Sequence, residues 1–428
     1  MKDTTSSPIP AVRGRIFYGW WVLAACSLMG FYIAATANHS FTAFFDPLLE
    51  EFNWSYTQIS FAMSLRGMEM SILSPVVGFL VDRYGPRRLS LFGVSTVGLG
   101  FLILSLTQTL WMLYAGIILI AFGGGGCTAV VMSNLVSNWF QKRIGLALGI
   151  MTAGVGACGL LIPVIVWLID SYGWRSTLVV LGLGTWIICI PLALIIRDRP
   201  EQYGLQPDGD TALPDTRTNS PGDRTVAPVI PFLGALRHRA FLLIVLIEVI
   251  RMMTLTAVIN HIMPYLNLLQ VSRSTAGWIA AGLHVFSIPG RLFFGWLADR
   301  FDTRRVAAIA CGLMATGMFL LCHADEGIVM IFFLLLFPVG YGGMNTLRGV
   351  MIQSYFGRAV FGRLIGLVMG AASVGGILGP TIAGYLFDTT GTYTSTWMLL
   401  GVATSSTVAL AVNLGPRKLS HRTPGDNG

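Results

Sequence analysis

Charge is what this chain of 428 residues has least of: 11% of it is Asp, Glu, Lys or Arg, while 54% is apolar. That much apolar surface exceeds what one water-soluble core buries, so a soluble enzyme is excluded. Cysteine is sparse as well. Cys26, Cys127, Cys158, Cys189, Cys311 and Cys322 are scattered through apolar stretches, without the spacing of a zinc site or a disulfide framework. They read as small packing residues, and no metal is expected. The chain has no G-x-x-x-x-G-K-[ST] run, which excludes direct drive by ATP, and no nucleophile constellation. Neither enzymatic activity nor a cofactor is therefore expected. Nor does the first apolar segment carry the small-residue cleavage site of a removable signal peptide.

What the chain does have is apolar length. A helix needs about 20 apolar residues to cross a hydrocarbon core of roughly 30 Å, and a mean hydropathy of +0.69 over this length leaves room for about a dozen crossings. Apolar runs predict helices over 17–45, 56–81, 89–108, 110–138, 144–169, 174–196, 240–266, 274–298, 305–323, 326–355, 362–387 and 394–414. Between the sixth and seventh, 197–239 is rich in Pro, Asp, Thr and Gly and reads as a linker. The expected fold is an all-α membrane protein of twelve transmembrane helices in two six-helix bundles, 17–196 and 240–414, with tails 1–16 and 415–428.

In a soluble protein the formal net charge of +8 would suggest nucleic acid. Here the basic residues gather in the loops on one side. With both termini in the cytoplasm, Arg175 and Arg273 are the basic residues of the outside loops, Arg66, Arg251, Arg291 and Arg348 lie inside helices, and the rest fall inside. The positive-inside rule selects that orientation. The bilayer of the cell (inner) membrane is thus the expected partner, nucleic acid is not, and the chain is expected to work as a monomer.

The two halves repeat. The run from Gly78 to Asp82, Arg83, Arg87 and Arg88 returns as Gly295 to Asp299, Arg300, Arg304 and Arg305, each position shifted by 217. A looser echo pairs Trp139, Phe140 and the Arg143-Ile144-Gly145 run with Tyr355, Phe356 and the run from Arg363 to Gly366. Two related bundles around a central cavity are what alternating access requires.

The doubled G-x-L-x-D-R-x-G-x-R-R signature resembles the loop motif of the major facilitator superfamily, and the resemblance covers essentially the whole chain. Within it, Trp139 to Gly154 resembles the helix 5 signature of monocarboxylate transporters. Tyr18-Gly19-Trp20-Trp21 resembles their helix 1 motif without its acidic residue, and Arg199-Pro200-Glu201 with Pro207-Asp208-Gly209 is similar to the linker opening of bacterial members. The resemblance implies the major facilitator fold and transport of a small monocarboxylate, such as lactate or pyruvate, together with a proton.

A charge at the centre of a membrane helix costs at least about 2.5 kcal/mol, so the intramembrane charges form the functional shortlist. Arg291 comes first, because a guanidinium stays protonated and its fork of donors matches a carboxylate. The resemblance agrees, since monocarboxylate transporters hold the substrate carboxylate with an Arg here; an Arg tied to a carboxylate on a neighbouring helix is the alternative. His284, Ser287 and Arg291 share one helical face at i, i+3 and i+7. Eukaryotic members carry a proton-coupling Asp where this chain has Ser287, and His284 is placed to replace it. His39 aligns with a Lys implicated in proton binding in those members, and His261, beside Pro264, resembles a substrate-contacting position of bacterial ones. These three histidines are the proton-coupling candidates, with a packing or solvated His as the alternative for each.

Tyr341 and Asn345 share a face and offer hydrogen bonds to substrate. Thr128, after the run from Gly123 to Gly126, is a further candidate for the cavity wall, with packing as the alternative. Arg66 with Glu69, and Glu248 with Arg251, are spaced to neutralise each other, and with Arg348 they are assigned to gating. Asp82, Arg83, Arg87 and Arg88, and Asp299, Arg300, Arg304 and Arg305, resemble the family's latch, whose carboxylate pairs across the bundle interface when the inner gate is shut. Proton-coupled symport is the leading reading. Exchange of organic anions of the oxalate and formate kind is the second, and a membrane receptor or membrane-embedded enzyme is the reading from another class.

Overall fold

Backbone N–H and C=O groups find no water inside a bilayer, so a chain this apolar must satisfy them within helices. A computed structural model describes residues 17–52, 54, 58, 73–127, 129–209, 232–324 and 327–415, and every regular element among them is helical. In the N-terminal half, α1 (Tyr18–Ile33) runs through a π-helical turn (Ala34–His39) and a 3-10 turn (Ser40–Phe44) into α2 (Phe45–Phe52). Then come α3 over 73–84, α4 (Pro86–Ser105), α5 (Leu110–Gly125), α6 (Ala129–Trp139), α7 (Ile144–Gly156), α8 (Ile162–Gly184) and α9 (Ile190–Ile195). The C-terminal half holds α10 (Phe232–Arg237), α11 (Arg239–Leu268), α12 (Arg273–Val285), α13 (Ser287–Arg300), α14 (Thr303–Leu321), α15 (Gly327–Phe356), α16 (Phe361–Thr390) and α17 (Thr394–Val412).

Nine helical runs among the described residues are long and apolar enough to cross a membrane. One of them, Ile144–Ile195, has 52 residues, which at 1.5 Å per residue is about 78 Å and too long for a single crossing. Gly173 divides it: its φ of 78° and ψ of 159° lie where L side chains are excluded, so a glycine makes the reversal.

The two halves meet through glycines. A Cβ added at Gly145 would collide with the Gly295 carbonyl oxygen, and one at Gly78 with the Gly362 carbonyl oxygen. Gly149 lies against the Arg291 backbone and Gly366 against Ser74. Both pairs obey the shift of 217, so Gly145 corresponds to Gly362 and Gly149 to Gly366. The sequence pairing of Gly145 with Gly366 is therefore four residues out of register. A repeated Gly-x-x-x-Gly spacing makes such a slip of one helical turn easy.

The linker also departs from the irregular segment expected of it. Its opening folds into 3-10 turns at Pro200–Tyr203 and Pro207–Gly209, and its close forms α10. The Asp208 carboxylate accepts the amide N–H groups of Gln141 at 2.9 Å, Lys142 at 2.8 Å and Arg143 at 3.4 Å. Asp198 accepts the Arg87 amide at 2.8 Å. Loops that would otherwise leave these donors open thus order the linker.

The close backbone approach yields a stability prediction. Gly295→Val should cost about 1–3 kcal/mol by overpacking and lower the melting temperature of the detergent-purified protein. Gly312→Val, whose added Cβ meets nothing within 4 Å, should leave it nearly unchanged.

Candidate functional site

Gly290 and Gly295 let α13 sit against α15 on one side and α7 on the other, and Arg291 projects between them. The side chain is buried, and its guanidinium crosses from one bundle to the other, where Nη1 donates to the Thr152 carbonyl of α7. Gly156 supplies the space, since a Cβ there would lie 2.7 Å from Nη1. Nε has no hydrogen-bond partner, and Arg291 makes no ion pair among the described residues. The same junction is pinned by a 3.0 Å hydrogen bond between the Thr152 and Thr346 hydroxyls, and the Thr346 hydroxyl also lies 3.2 Å from the Arg291 carbonyl oxygen.

Three other buried charges cluster in the C-terminal bundle. Glu248 Oε2 accepts from Arg251 Nη2 at 2.8 Å and from Arg348 Nη1 on α15 at 3.4 Å. Glu248 Oε1, Arg251 Nη1 and Arg348 Nε remain without partners. Arg348 thus joins the network that Arg251 and Glu248 begin. Together with Arg291, the charged residues buried as whole residues among those described are three arginines and one glutamate. Burial penalises such an excess unless an anion joins it.

The other sequence candidates divide. Ser287 is buried and donates to the His284 carbonyl at 2.7 Å, across the break between α12 and α13, while Gly342 packs on its backbone. His284 is exposed, with Nδ1 3.4 Å from the Ala280 carbonyl oxygen. Both ring nitrogens of His261 are engaged, Nδ1 with the Tyr393 hydroxyl at 3.0 Å and Nε2 with the Pro380 carbonyl at 3.1 Å. A carbonyl only accepts, so Nε2 carries the proton and Nδ1 accepts from Tyr393. His261 is therefore tied to groups of its own bundle. Tyr341 is buried beside Phe337, and Asn345 is half-buried on α15. Arg66, Glu69 and Thr128 lie outside the described residues, as does the side chain of His39, whose backbone closes the π-helical turn.

At the end of the molecule that carries the linker, the aspartate of each motif copy acts on the opposite bundle. Asp299 accepts the Gly145 amide at 2.6 Å and the Leu146 amide at 2.8 Å, capping the start of α7. Asp82 accepts the Arg363 amide at 3.2 Å at the start of α16 and the Asn134 amide group at 3.3 Å, with Arg363 Nε 3.2 Å away. First-turn amides have no partner within their helix, and the positive end of the helix dipole adds to the attraction. Burial pushes both carboxyls up to about 6, against the pull of these hydrogen bonds. Gln353 donates to the Phe140 carbonyl at 3.2 Å and Arg358 to the Asn138 carbonyl at 2.8 Å, closing the same end. The motif arginines point elsewhere: Arg304 pairs with Asp302, Arg300 stacks on Trp296, Arg83 lies over Tyr84, and Arg87 reaches the Leu194 carbonyl.

A largely apolar cavity of about 140 Å³ lies between α1, α3, α5, α6, α7 and α16, with Ala34, Val155 and Met369 in its wall. Thr152, Gly156 and Thr346 were not singled out from the sequence. The available signal was the run of small residues Gly149, Thr152 and Gly156 at i, i+3 and i+7 on one face of α7.

The charge cluster sets a further expectation. Glu248→Gln leaves Arg251 and Arg348 uncompensated and should cost about 3–5 kcal/mol, read as a large drop in melting temperature. Adding Arg251→Gln should restore part of the loss.

Comparison with known proteins places this geometry. The chain matches the family model described as Major Facilitator Superfamily over residues 20–269 and 249–427. Monocarboxylate transporter 11 of Homo sapiens is 28% identical over 420 residues, covering 93% of this chain and 83% of that protein. Monocarboxylate transporter 12 of Rattus norvegicus is 24% identical over 425 residues, covering 95% and 86%. Among solved structures, the E. coli fucose:proton symporter shares the fold at a TM-score of 0.70 and 15% identity, over 94% of this chain and 100% of that one.

Proposed function

This chain belongs to the Major Facilitator Superfamily, and from that premise we propose that it is a secondary active transporter of short monocarboxylates such as lactate or pyruvate, each carried with one proton by alternating access. Its twelve helices then span the cell membrane with both termini in the cytoplasm, and the linker end is the closed inner gate. The observation that carries this reading is the buried Arg291 guanidinium, which bridges the bundles with a backbone carbonyl as its partner and one donor unused.

A carboxylate is a stronger acceptor for that fork than a peptide carbonyl. Its arrival neutralises one of the uncompensated charges and releases the bond to Thr152 that ties α13 to α7. His284, just across the α12–α13 break from Ser287, is the group that takes up the proton, with His39 as the second candidate. Once both are loaded, the site carries no added charge, and the bundles are free to rock against one another. The excess of buried arginines over buried glutamate among the described residues also favours a second reading, electroneutral exchange of one organic anion for another.

Purified protein in proteoliposomes should accumulate labelled lactate or pyruvate when the outside is made acidic, and Arg291→Lys should reduce uptake at least tenfold by loss of the planar fork. Uptake of no short monocarboxylate under any pH gradient would falsify the proposal. Counterflow that is indifferent to the gradient selects the exchanger.

A further inference from the structure

Two buried hydroxyls meet across the bundle interface beside Arg291, and the function proposed above gives them no part. We infer that Thr152 and Thr346 form a clasp, and that Thr346 is a positioning residue whose hydroxyl sets how readily the bundles part at the linker end. The inference rests on the rocking of the bundles proposed above and holds whichever anion Arg291 takes.

The hydrogen bonds close a ring. Arg291 of α13 reaches the Thr152 carbonyl of α7 with its side chain, the Thr152 hydroxyl lies 3.0 Å from the Thr346 hydroxyl of α15, and the Thr346 hydroxyl lies 3.2 Å from the carbonyl oxygen of Arg291 itself. The ring crosses between the bundles twice, once through the guanidinium and once through the hydroxyl pair. An anion that captures the guanidinium releases the first crossing. The second remains, so the hydroxyl pair is what still joins the halves at this level.

The supply of protons explains why that crossing can break. Each hydroxyl has one proton to donate. Thr152 has an acceptor on its own helix, the Leu148 carbonyl at 2.8 Å, and Thr346 has one in its own bundle, the Arg291 carbonyl. If both used those acceptors with the bundles together, two hydroxyl oxygens would face each other at 3.0 Å with no proton between them. One hydroxyl therefore donates across the interface. On separation it falls back on the carbonyl of its own half, and no buried donor is left unpaired. The clasp adds one hydrogen bond to the closed arrangement and opens without an orphaned group.

The internal repeat supplies an independent observation. The glycine contacts and the aspartate caps occur in both halves, as a shared scaffold requires. The threonine pair does not. The shift of 217 carries Arg291 to Ser74, Thr152 to Met369 and Thr346 to Ala129, and the shift of 216 that pairs Trp139 with Tyr355 carries Thr346 to Val130. Apolar side chains thus replace both hydroxyls where the arginine is missing. Scaffold packing is satisfied there without a clasp, so the pair belongs with Arg291 and the movement around it.

The test reads the gate directly. Ser354 lines a cleft of about 240 Å³ at the linker end whose wall includes Lys142 and Asp299, and Ser354→Cys places a thiol there; five native cysteines are buried and Cys322 is half-buried. In the detergent-purified, substrate-free protein, adding Thr346→Ala should speed labelling of this thiol by a water-soluble maleimide about fivefold, the worth of one net hydrogen bond. Thr346→Ser keeps the hydroxyl and should label at the rate of Ser354→Cys alone. Thr346→Val, shaped like threonine without its hydroxyl, should label at least as fast as Thr346→Ala, so a packing defect in one variant does not decide the result. Thr152→Ala should match Thr346→Ala, and the double variant should match either single one, because the same bond is lost in all three. Equal labelling with Thr346→Ala and Thr346→Ser, or alanine effects that multiply in the double variant, overturns the clasp. Labelling needs no substrate, so the expected pattern upholds the clasp even if no short monocarboxylate is transported and the carboxylate reading falls; transport with unchanged labelling overturns the clasp alone.

Discussion

A guanidinium cannot shed its proton, so wherever folding buries one the surroundings must supply an acceptor. In this protein that constraint governs the junction between the two bundles. Arg291 leaves its own half, finds a peptide carbonyl on α7, and is admitted there because Gly156 has no side chain. The neighbouring arginines, Arg251 and Arg348, share one carboxylate between them. Among the described residues the buried arginines thus outnumber the buried glutamate, and one of them, Arg291, lies where the halves touch.

The linker end solves a different problem with a repeated device. Glycine permits backbone contact between bundles, and an aspartate four residues later caps the first turn of the opposing helix. The device occurs twice, related by the internal repeat, so the closed end is held on both sides of the pseudo-twofold axis. Carboxylate-to-amide hydrogen bonds suit a gate, because water replaces either partner readily once the surfaces separate.

Much of this was legible in the sequence, and the limits are physical. Apolar runs gave helix positions close to those of the described residues, including the break near Gly173, because a bilayer leaves the backbone few options; most of the expected helix 56–81 lies outside the described residues. The duplicated Gly78 and Gly295 motif was visible for the same reason: backbone contact tolerates no substitute. What sequence cannot display is a partner that is itself backbone. Asp299 binds the backbone amides of Gly145 and Leu146, Asp82 that of Arg363 beside the side chains of Asn134 and Arg363, and Arg291 a carbonyl; the backbone partners have no side-chain signature, so the motif aspartates could be assigned to a latch but not to the groups they cap. The i, i+3 spacing of Glu248 and Arg251 indicated a pair, whereas the arrival of Arg348 from another helix depended on packing. The same limit applies to the linker, whose order comes from loop amides far away in the chain.

That last feature bears on how the halves travel. The segment 141–146 presents its amides to two masters: Asp208 of the linker takes those of Gln141, Lys142 and Arg143, and Asp299 of the far bundle takes those of Gly145 and Leu146. Separation of the bundles removes the second grip and leaves the first. In the alternating access proposed above, the opening of the linker therefore rides with the N-terminal half, and the exposed Glu201–Arg358 tie is what it sheds from the other half.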